Sequence, residues 1–404
     1  MADFYQHALL PTLHHLATPD ASARDAELVE LTQKRPVALL LPALYAEVER
    51  PALPAILHHV AGVPYISKIV LSMNGMVESQ VDRVRDLVRK SFGDREVHLL
   101  WNDGPALQAV NQRLEDASCG GGHTGKGANI WMGLAYLKAS QHHGIVISHD
   151  TDILNYSPSM LAKLCYPIAH PSMGYRFAKG YYSRVADRLY GRVTRLLIFP
   201  LIQSFQEVMG RQPLLDHLES FRYPLSGEFA GDCDTLAEFH IPSAWGLEIA
   251  ILCEVHRRLS IEELCQVDLG FHFEHRHRRL DPGELEHGLV SAAADVAYCL
   301  ASQILRETPP DKFEGILKRV LELYSGRAAE WMRRYEHVAL LNGLHFDPAE
   351  EKMAVTAFTQ ALHDLTSDVH AHALCVPGMR PAPAEALQHL QGLGDEIIAA
   401  AISL

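Results

Sequence analysis

The sequence has no apolar run near the roughly 18 residues that a membrane-spanning helix needs, and no long run of Lys or Arg. Its formal net charge is −13 at pH 7. Together these argue against nucleic acid or an anionic membrane as the main partner. A small anionic substrate stays open, because a local basic pocket can sit in an acidic protein. The opening residues, Met1-Ala2-Asp3-Phe4-Tyr5-Gln6-His7, put no basic region ahead of an apolar one, so no signal peptide is expected there. Cys-x-x-Cys pairs are missing: the seven cysteines are odd in number and scattered. That pattern fits a reducing cytoplasm and mostly buried thiols. A Walker A loop, a His-Glu-x-x-His helix and a compact His-x-His-x-Asp group are absent too, as are internal repeats and low-complexity tracts.

What is present is ordinary globular chain: 404 residues, 48% hydrophobic and 21% charged. That length holds a large core and, at average domain sizes, predicts two units. Residues 1–35 read as a small, polar, helical cap. Apolar runs at Val37–Leu41, Lys68–Ser72, Val97–Trp101 and Ile145–Ser148 read as buried strands. Helical patterns separate them, with Val81, Val84, Leu87 and Val88 as one amphipathic stripe and Lys126–Ala139 as a further helix. Strand–helix alternation predicts a parallel sheet with helices on both faces. Beyond 152 the alternation loosens. Helices are expected over 157–170, 184–210 and 246–259, a strand-like segment over 171–183, a tight turn into a helix at Ser226–Gly231, and a short strand at Cys265–Leu269. From about 283 onward only helical patterns are visible, with breaks near Pro309-Pro310, Asn342-Gly343 and Pro377–Pro383.

Ligands in such sheets bind beyond the carboxyl ends of the strands. His149-Asp150-Thr151-Asp152 lies at such an end, as do Pro42, Asn74 and Asn102. Carboxylates two residues apart at a strand end point to one side and can hold a hard divalent cation, with phosphate oxygens and water completing its shell. A capped loop is the other reading of this pattern. Gly125-Lys126-Gly127 opens a helix, where backbone amides and a lysine suit an anion; a flexible loop with a solvated lysine is its alternative. Arg192 and Thr194 in Gly191-Arg192-Val193-Thr194 could clamp a phosphate or carboxylate, or lie on a helix surface. Glu248 sits among apolar neighbours, where a lone carboxylate is costly, so it is either functional or ion-paired. His275 and His277 follow the last strand and could add a nitrogen ligand to a metal at Asp152. A charged surface loop is equally consistent with that run.

In chain order these segments resemble the glucosyl-3-phosphoglycerate synthases, retaining sugar-nucleotide transferases of the GT-A fold. The resemblance spans about residues 36–285. Pro42-Ala43-Leu44-Tyr45-Ala46-Glu47 resembles the family's Pro-Ala-Leu-Asn-Glu-Glu, so Pro42, Leu44 and Glu47 carry over to nucleotide binding, while Tyr45 and Ala46 depart. Lys126 matches the lysine that meets the nucleotide. Asp150-Thr151-Asp152 is similar to Asp-Ser-Asp, whose last carboxylate ligates the metal. Gly191, Arg192, Val193 and Thr194 match the motif that binds phosphoglycerate. Ser226, Gly227 and Glu228 match the turn beside the donor sugar, and Glu248 matches the glutamate that faces the sugar. His275 aligns with the metal-ligand histidine, although a one-residue insertion keeps His277 open. Leu71-Ser72-Met73-Asn74-Gly75 departs from the family's Leu-Asp-Ser-Gly-Ser, which leaves the base preference open.

The resemblance implies a metal-dependent hexosyltransferase with an α/β, GT-A (Rossmann-like) domain over 36–285, divided near 152, and a helical C-terminal region over 286–404. It implies transfer of glucose from a nucleoside-diphosphate glucose, UDP-glucose first, to 3-phosphoglycerate with retention, aided by Mg²⁺ or Mn²⁺. Glu248 and Asp152 would be catalytic. Mannosyl transfer, a related acid such as glycerate, or sugar-nucleotide binding without catalysis are the alternatives. A cytoplasmic enzyme, with a homodimer possible and no nucleic-acid or membrane partner, completes the expectation.

Overall fold

A computed structural model describes residues 6, 9–93, 95–117, 124–270, 289–306, 308–369, 376 and 378–404. The strands are β1 (Thr12–Leu13), β2 (Val37–Leu44), β3 (Ile66–Asn74), β4 (Val97–Trp101), β5 (Ile145–Ser148), β6 (Phe177–Tyr181), β7 (Phe229–Asp232), β8 (Ile241–Pro242), β9 (Leu264–Asp268), β10 (Met379–Arg380) and β11 (Ile402–Ser403). Among the described residues, nine of them form one sheet in the order β1-β9-β6-β7-β5-β2-β3-β4-β11. Strands β5, β2, β3 and β4 run parallel, as the helical crossovers between them require.

Alternation along these strands builds two core layers. Val37, Leu39, Leu41, Ile69, Leu71, Val97, Leu99, Ile145 and Ile147 face the helices Ala52–Ala61, Val81–Phe92 and Ser159–Ala169. Ala38, Leu40, Val70, Leu100 and Val146 face the other way, against Ile130, Trp131, Leu134 and Leu137 of the helix Lys126–Ala139. That helix is buried nearly all round because C-terminal segments cover its far side: the helices Pro383–His389 and Leu393–Ala400 pack on it. No helix among the described residues is long and apolar enough to cross a membrane. The described cysteines, Cys165, Cys233, Cys253, Cys265 and Cys299, are buried and free.

Local expectations change at several places: the helix expected over 184–210 begins only at Val193, and residues 1–35 contribute strand β1 as well as helix. β2 runs through Pro42 to Leu44 rather than ending at the proline. The Pro42 carbonyl faces the β5 side, where it accepts from Thr151, and β5 stops pairing at Leu40↔Ser148. The missing N–H therefore removes no ladder bond. The segment after Ser226 does not turn directly into a helix: Phe229–Asp232 is a strand, antiparallel to both β5 and β6. Its Phe-Ala-Gly run is buried between two neighbours, and four residues are too few for periodicity to separate strand from helix. The C-terminal region adds strand as well as helix. β10 pairs with β8 and β11 with β4, two-residue pairings that no sequence period could signal.

Candidate active site

The carboxyl ends of β2 to β5 carry a closed set of polar contacts. Thr151 donates its hydroxyl to the Pro42 carbonyl at 3.1 Å, which ties the loop after β5 to β2. Asn102, just past β4, donates to Ser72 Oγ at 2.9 Å and to Asn129 Oδ1 at 2.7 Å, while Asn129 donates to the Ala43 carbonyl at 3.1 Å. The strand ends are thus held to one another and to the helix Lys126–Ala139 by buried side-chain bonds, which a low-dielectric interior strengthens.

Lys126 is the first residue of that helix. Its Nζ lies 2.5 Å from Asp150 Oδ1 and 2.8 Å from Glu248 Oε1. Glu248 stands in the first turn of the helix Leu247–Arg258, where a carboxylate is favoured by the helix dipole. Burial alone would lower the Lys126 pKa, but the two carboxylates overcome this and hold it well above its ordinary value. Two glycines make the arrangement possible. A Cβ on Gly127 would lie 1.8 Å from the Pro242 carbonyl oxygen, so only glycine lets the helix start approach that backbone. A Cβ on Gly227 would lie 2.3 Å from Asp150 Oδ1 and 2.5 Å from Lys126 Nζ. The Ser226-Gly227-Glu228 turn therefore lies directly on the Lys126–Asp150 pair.

Beneath this turn is a second buried cation. Lys179 of β6 is only 2% exposed and its ammonium donates to the Ser226 carbonyl. Burial pushes its pKa down to about 8, against the stabilising fields of Glu248 and Glu228. Glu228 is fully buried, and its Oε1 accepts from the Asp150 amide at 3.4 Å. Ser226 in turn donates its hydroxyl to the Gly180 carbonyl at 2.5 Å. His149, also fully buried, uses Nδ1 on the Asp150 carbonyl at 2.8 Å and packs against Tyr156. Burial drives its pKa to about 4, so the ring is neutral at pH 7, with the Nδ1 proton on the carbonyl. Arg184 reaches Tyr223 Oη at 3.5 Å; burial opposes its charge, while Tyr223, Tyr182 and Asp152 favour it.

The Gly191–Thr194 segment leads into a π-helical stretch, Val193–Ile198, ahead of the helix Phe199–Met209. Single π-turns of this kind recur at functional sites. Arg192 does not stand on a solvated surface. Its Nε donates to Glu351 Oε1 and its Nη2 to Glu350 Oε2, both at 2.7 Å, on the helix Pro348–Val369. Arg195 engages the second Glu351 oxygen at 3.0 Å, and Thr194 is buried beside it.

The remaining expected residues are spread around this centre. Glu47 is buried and paired with Arg50, whereas Leu44 is half exposed. Asp152 follows Thr151 beyond β5. His275 and His277 lie outside the described residues. Among the described residues no group of three or more His, Cys, Asp or Glu is placed to hold a metal. Asp150 is paired with Lys126; the metal role expected of Asp152 calls for further donors, from substrate and from beyond the described residues.

The structure thus brings Lys126, Asp150, Ser226, Gly227, Glu228 and Glu248 into one cluster. It sets Gly191–Thr194 against the C-terminal helices instead. Sequence reasoning missed Lys179, Arg184, Glu350 and Glu351. Lys179 had a signal: a lysine inside Phe177-Ala178-Lys179-Gly180-Tyr181 breaks a buried strand as Glu248 breaks its apolar run.

No family model matches the chain. Glucosyl-3-phosphoglycerate synthase of Persephonella marina is 36% identical over 382 residues, 94% of this chain and 93% of that protein. The enzyme of the same name from Methanococcoides burtonii is 30% identical, covering 91% of this chain and 89% of its own length. The crystal structure of Mycobacterium tuberculosis glucosyl-3-phosphoglycerate synthase with phosphoglyceric acid superposes with a TM-score of 0.54 at 23% identity, over 73% of this chain and 88% of that one. The same M. tuberculosis enzyme has been crystallised with Mn²⁺, UDP and glucosyl-3-phosphoglycerate, a structure that superposes with a TM-score of 0.53. The superposition bears out the GT-A fold expected from the sequence. With identity and coverage of this extent, the chain belongs to the glucosyl-3-phosphoglycerate synthase family.

Proposed function

We propose that this chain transfers glucose from UDP-glucose to 3-phosphoglycerate, with retention at the anomeric carbon. The observation that carries the reading is the Lys126 ammonium, held between Asp150 and Glu248 and covered by the Gly227 turn, at the carboxyl ends of the sheet. An ammonium so placed meets the diphosphate of a sugar nucleotide. Glu248, already in contact with that ammonium, faces the sugar and stabilises positive charge that develops there. Ser226, Gly227 and Glu228 shape the sugar pocket, with Lys179 fixing the turn through the Ser226 carbonyl. Pro42, Leu44 and Glu47 line the nucleoside side. Arg192 and Thr194, with Gly191 and Val193, receive the acceptor.

Asp152 and His275 would hold Mg²⁺ or Mn²⁺, a bound ion supplying Lewis-acid stabilisation of the leaving diphosphate. The catalytic domain is residues 36–285, after a small N-terminal cap and before a C-terminal region that closes over the acceptor segment. The enzyme works in the cytoplasm, in keeping with the free, buried thiols among the described residues, and a homodimer fits this reading.

The test is transfer by purified protein from a matrix of sugar nucleotides to small acids, read by product mass, with the anomeric configuration read by NMR. A hexosylglycerate 3-phosphate made only with UDP-glucose and 3-phosphoglycerate, in the α configuration, supports the reading. Faster transfer with a mannosyl donor or with glycerate refutes it, and donor binding with no transfer to any acid leaves only a sugar-nucleotide-binding protein.

A further inference from the structure

Three arginines and two glutamates meet where the acceptor segment touches the C-terminal helix Pro348–Val369. Glu351 is buried, its side chain 4% exposed, and both its oxygens are engaged: Oε1 by Arg192 Nε at 2.7 Å, Oε2 by Arg195 Nη1 at 3.0 Å. Glu350 differs. Its side chain is 31% exposed, and a single oxygen, Oε2, bridges Arg192 Nη2 at 2.7 Å and Arg188 Nη1 at 3.3 Å. One anionic oxygen between two guanidinium forks is also the way a phosphate oxygen is held.

The placement of the two glutamates is built into the chain. Asp347 caps the helix, accepting from the amides of Ala349 at 2.8 Å and Glu350 at 3.2 Å. Carboxylates are favoured in the first turn that follows. The loop before it is pinned to the acceptor segment, since the His345 amide donates to the Asp187 carbonyl at 2.9 Å and Arg188 bridges to His345. Glu350 is thereby delivered to Arg188 and Arg192 by the contacts of the segment just ahead of it.

Resting on the acceptor reading above, we propose that Glu350 holds, in the free protein, the place on Arg192 and Arg188 that the acceptor's phosphate takes, while Glu351 positions Arg192 to receive it. Three guanidinium groups converge here while Glu351 is shared by Arg192 and Arg195; uncompensated positive charge in a largely buried site is costly, so the free site keeps a second carboxylate, Glu350, on Arg192 and Arg188. Because Glu350 is partly solvated and held through one oxygen only, its displacement is inexpensive. A dianionic phosphate displaces it; a neutral hydroxyl at that position does not. Glu350 therefore selects against acceptors without a phosphate, and Arg188 joins Arg192 in reading it.

Calorimetric binding of 3-phosphoglycerate to the full chain, at low and high ionic strength, tests this with Arg192→Ala, Arg188→Ala, Glu350→Gln and Glu351→Gln. Glu350→Gln is expected to tighten binding about two- to five-fold, the scale of a partly exposed ion pair, and to retain that gain in high salt. Arg188→Ala and Glu351→Gln are expected to weaken it. In turnover, Glu350→Gln lowers the acceptor KM without raising kcat. Glu351→Gln tests the positioning role only if its thermal melt is cooperative; Glu350→Gln, on a partly exposed residue, carries the exchange without it. If Arg192→Ala binds as the native protein does, the acceptor reading fails and the exchange fails with it. If Arg192→Ala loses binding but Glu350→Gln gains none, only the exchange is overturned. A gain that disappears in high salt is a field effect of one lost charge and overturns it equally.

Discussion

Substituting Gly227 by alanine separates the site's chemistry from the fold's stability. The added Cβ would lie 2.3 Å from Asp150 Oδ1, 2.5 Å from Asp150 Cγ and 2.5 Å from Lys126 Nζ. Carbon needs about 3.5 Å from such neighbours, so the Lys126–Asp150 pair must part by about 1 Å. Both groups are ends of side chains and can move, so the fold survives. The contact they lose is a charge-assisted one, about 1.5–3 kcal/mol in general. The side chains are 24% and 25% exposed, and solvent screening brings the stability loss to about 1 kcal/mol. If the site positions a diphosphate as proposed, a displacement of about 1 Å costs far more in rate, about 100-fold.

Gly127→Ala is the matching control. Its Cβ would lie 1.8 Å from the Pro242 carbonyl oxygen and 2.9 Å from the carbonyl carbon, both backbone. No side chain can rotate away, and the cost falls on folding, about 1–3 kcal/mol or more. The assay pairs thermal melting with release of UDP from UDP-glucose in the presence of 3-phosphoglycerate. Gly227→Ala should melt within a few degrees of the native protein with kcat/KM down about 100-fold, while Gly127→Ala should melt well below both. Native kcat/KM in Gly227→Ala, or a melting loss as large as that of Gly127→Ala, refutes the reasoning.

Chelation should abolish transfer and added Mg²⁺ or Mn²⁺ restore it, with Asp152→Ala mimicking chelation at an unchanged far-ultraviolet spectrum; full transfer by that variant in chelator removes the metal role. His275→Ala should lose more metal affinity than His277→Ala, read by metal titration of both; the reverse order moves the ligand to His277. Arg192→Ala should raise the KM for 3-phosphoglycerate about ten- to a hundred-fold and leave donor affinity unchanged, and glycerate should be a poor acceptor indifferent to the change. For Lys179, burial lowers the folded value to about 8, below the ordinary lysine value of about 10.4, so the unfolded chain holds that proton more tightly. The native protein should then gain stability as pH rises between those values, and Lys179→Met should lack that gain in denaturant midpoints taken across the same range.

The parallel half of the sheet was legible because its signals are local. Val37–Leu41 and Ile145–Ser148 are runs of aliphatic residues with helix patterns between them, and burial on both faces leaves nothing else for them to be. The cluster was legible for a related reason. Lys126 opens a helix after glycines, and Glu248 interrupts an apolar run, and each is a charge that needs a reason for its place. The same rule applied to Lys179 would have found the ammonium under the Ser226 turn, but the segment over 171–183 was read only as strand-like. Strand β7 was lost because Phe229-Ala230-Gly231-Asp232 is too short to carry a period and pairs antiparallel inside a sheet expected to be parallel.

The acceptor half is a different matter. Arg192 was read as a phosphate clamp or a surface arginine, and both readings supposed that its surroundings come from its own neighbourhood in sequence. They do not: Glu350 and Glu351 lie 158 and 159 residues further on. Nothing in Pro348-Ala349-Glu350-Glu351 marks it off from an ordinary acidic first turn of a helix, since carboxylates are favoured there whatever they touch. What makes it specific is the docking of that helix, set by Ala354, Phe358 and Leu362 in the same core layer as Leu196 and Leu197 of the π-helical stretch. Apolar burial thus fixes where the two carboxylates fall, and the carboxylates fix how Arg192 points. The proposed acceptor-binding motif is a local sequence whose surroundings are completed by a remote one, so truncating the C-terminal helices should change what Arg192 binds even though the motif itself stays intact.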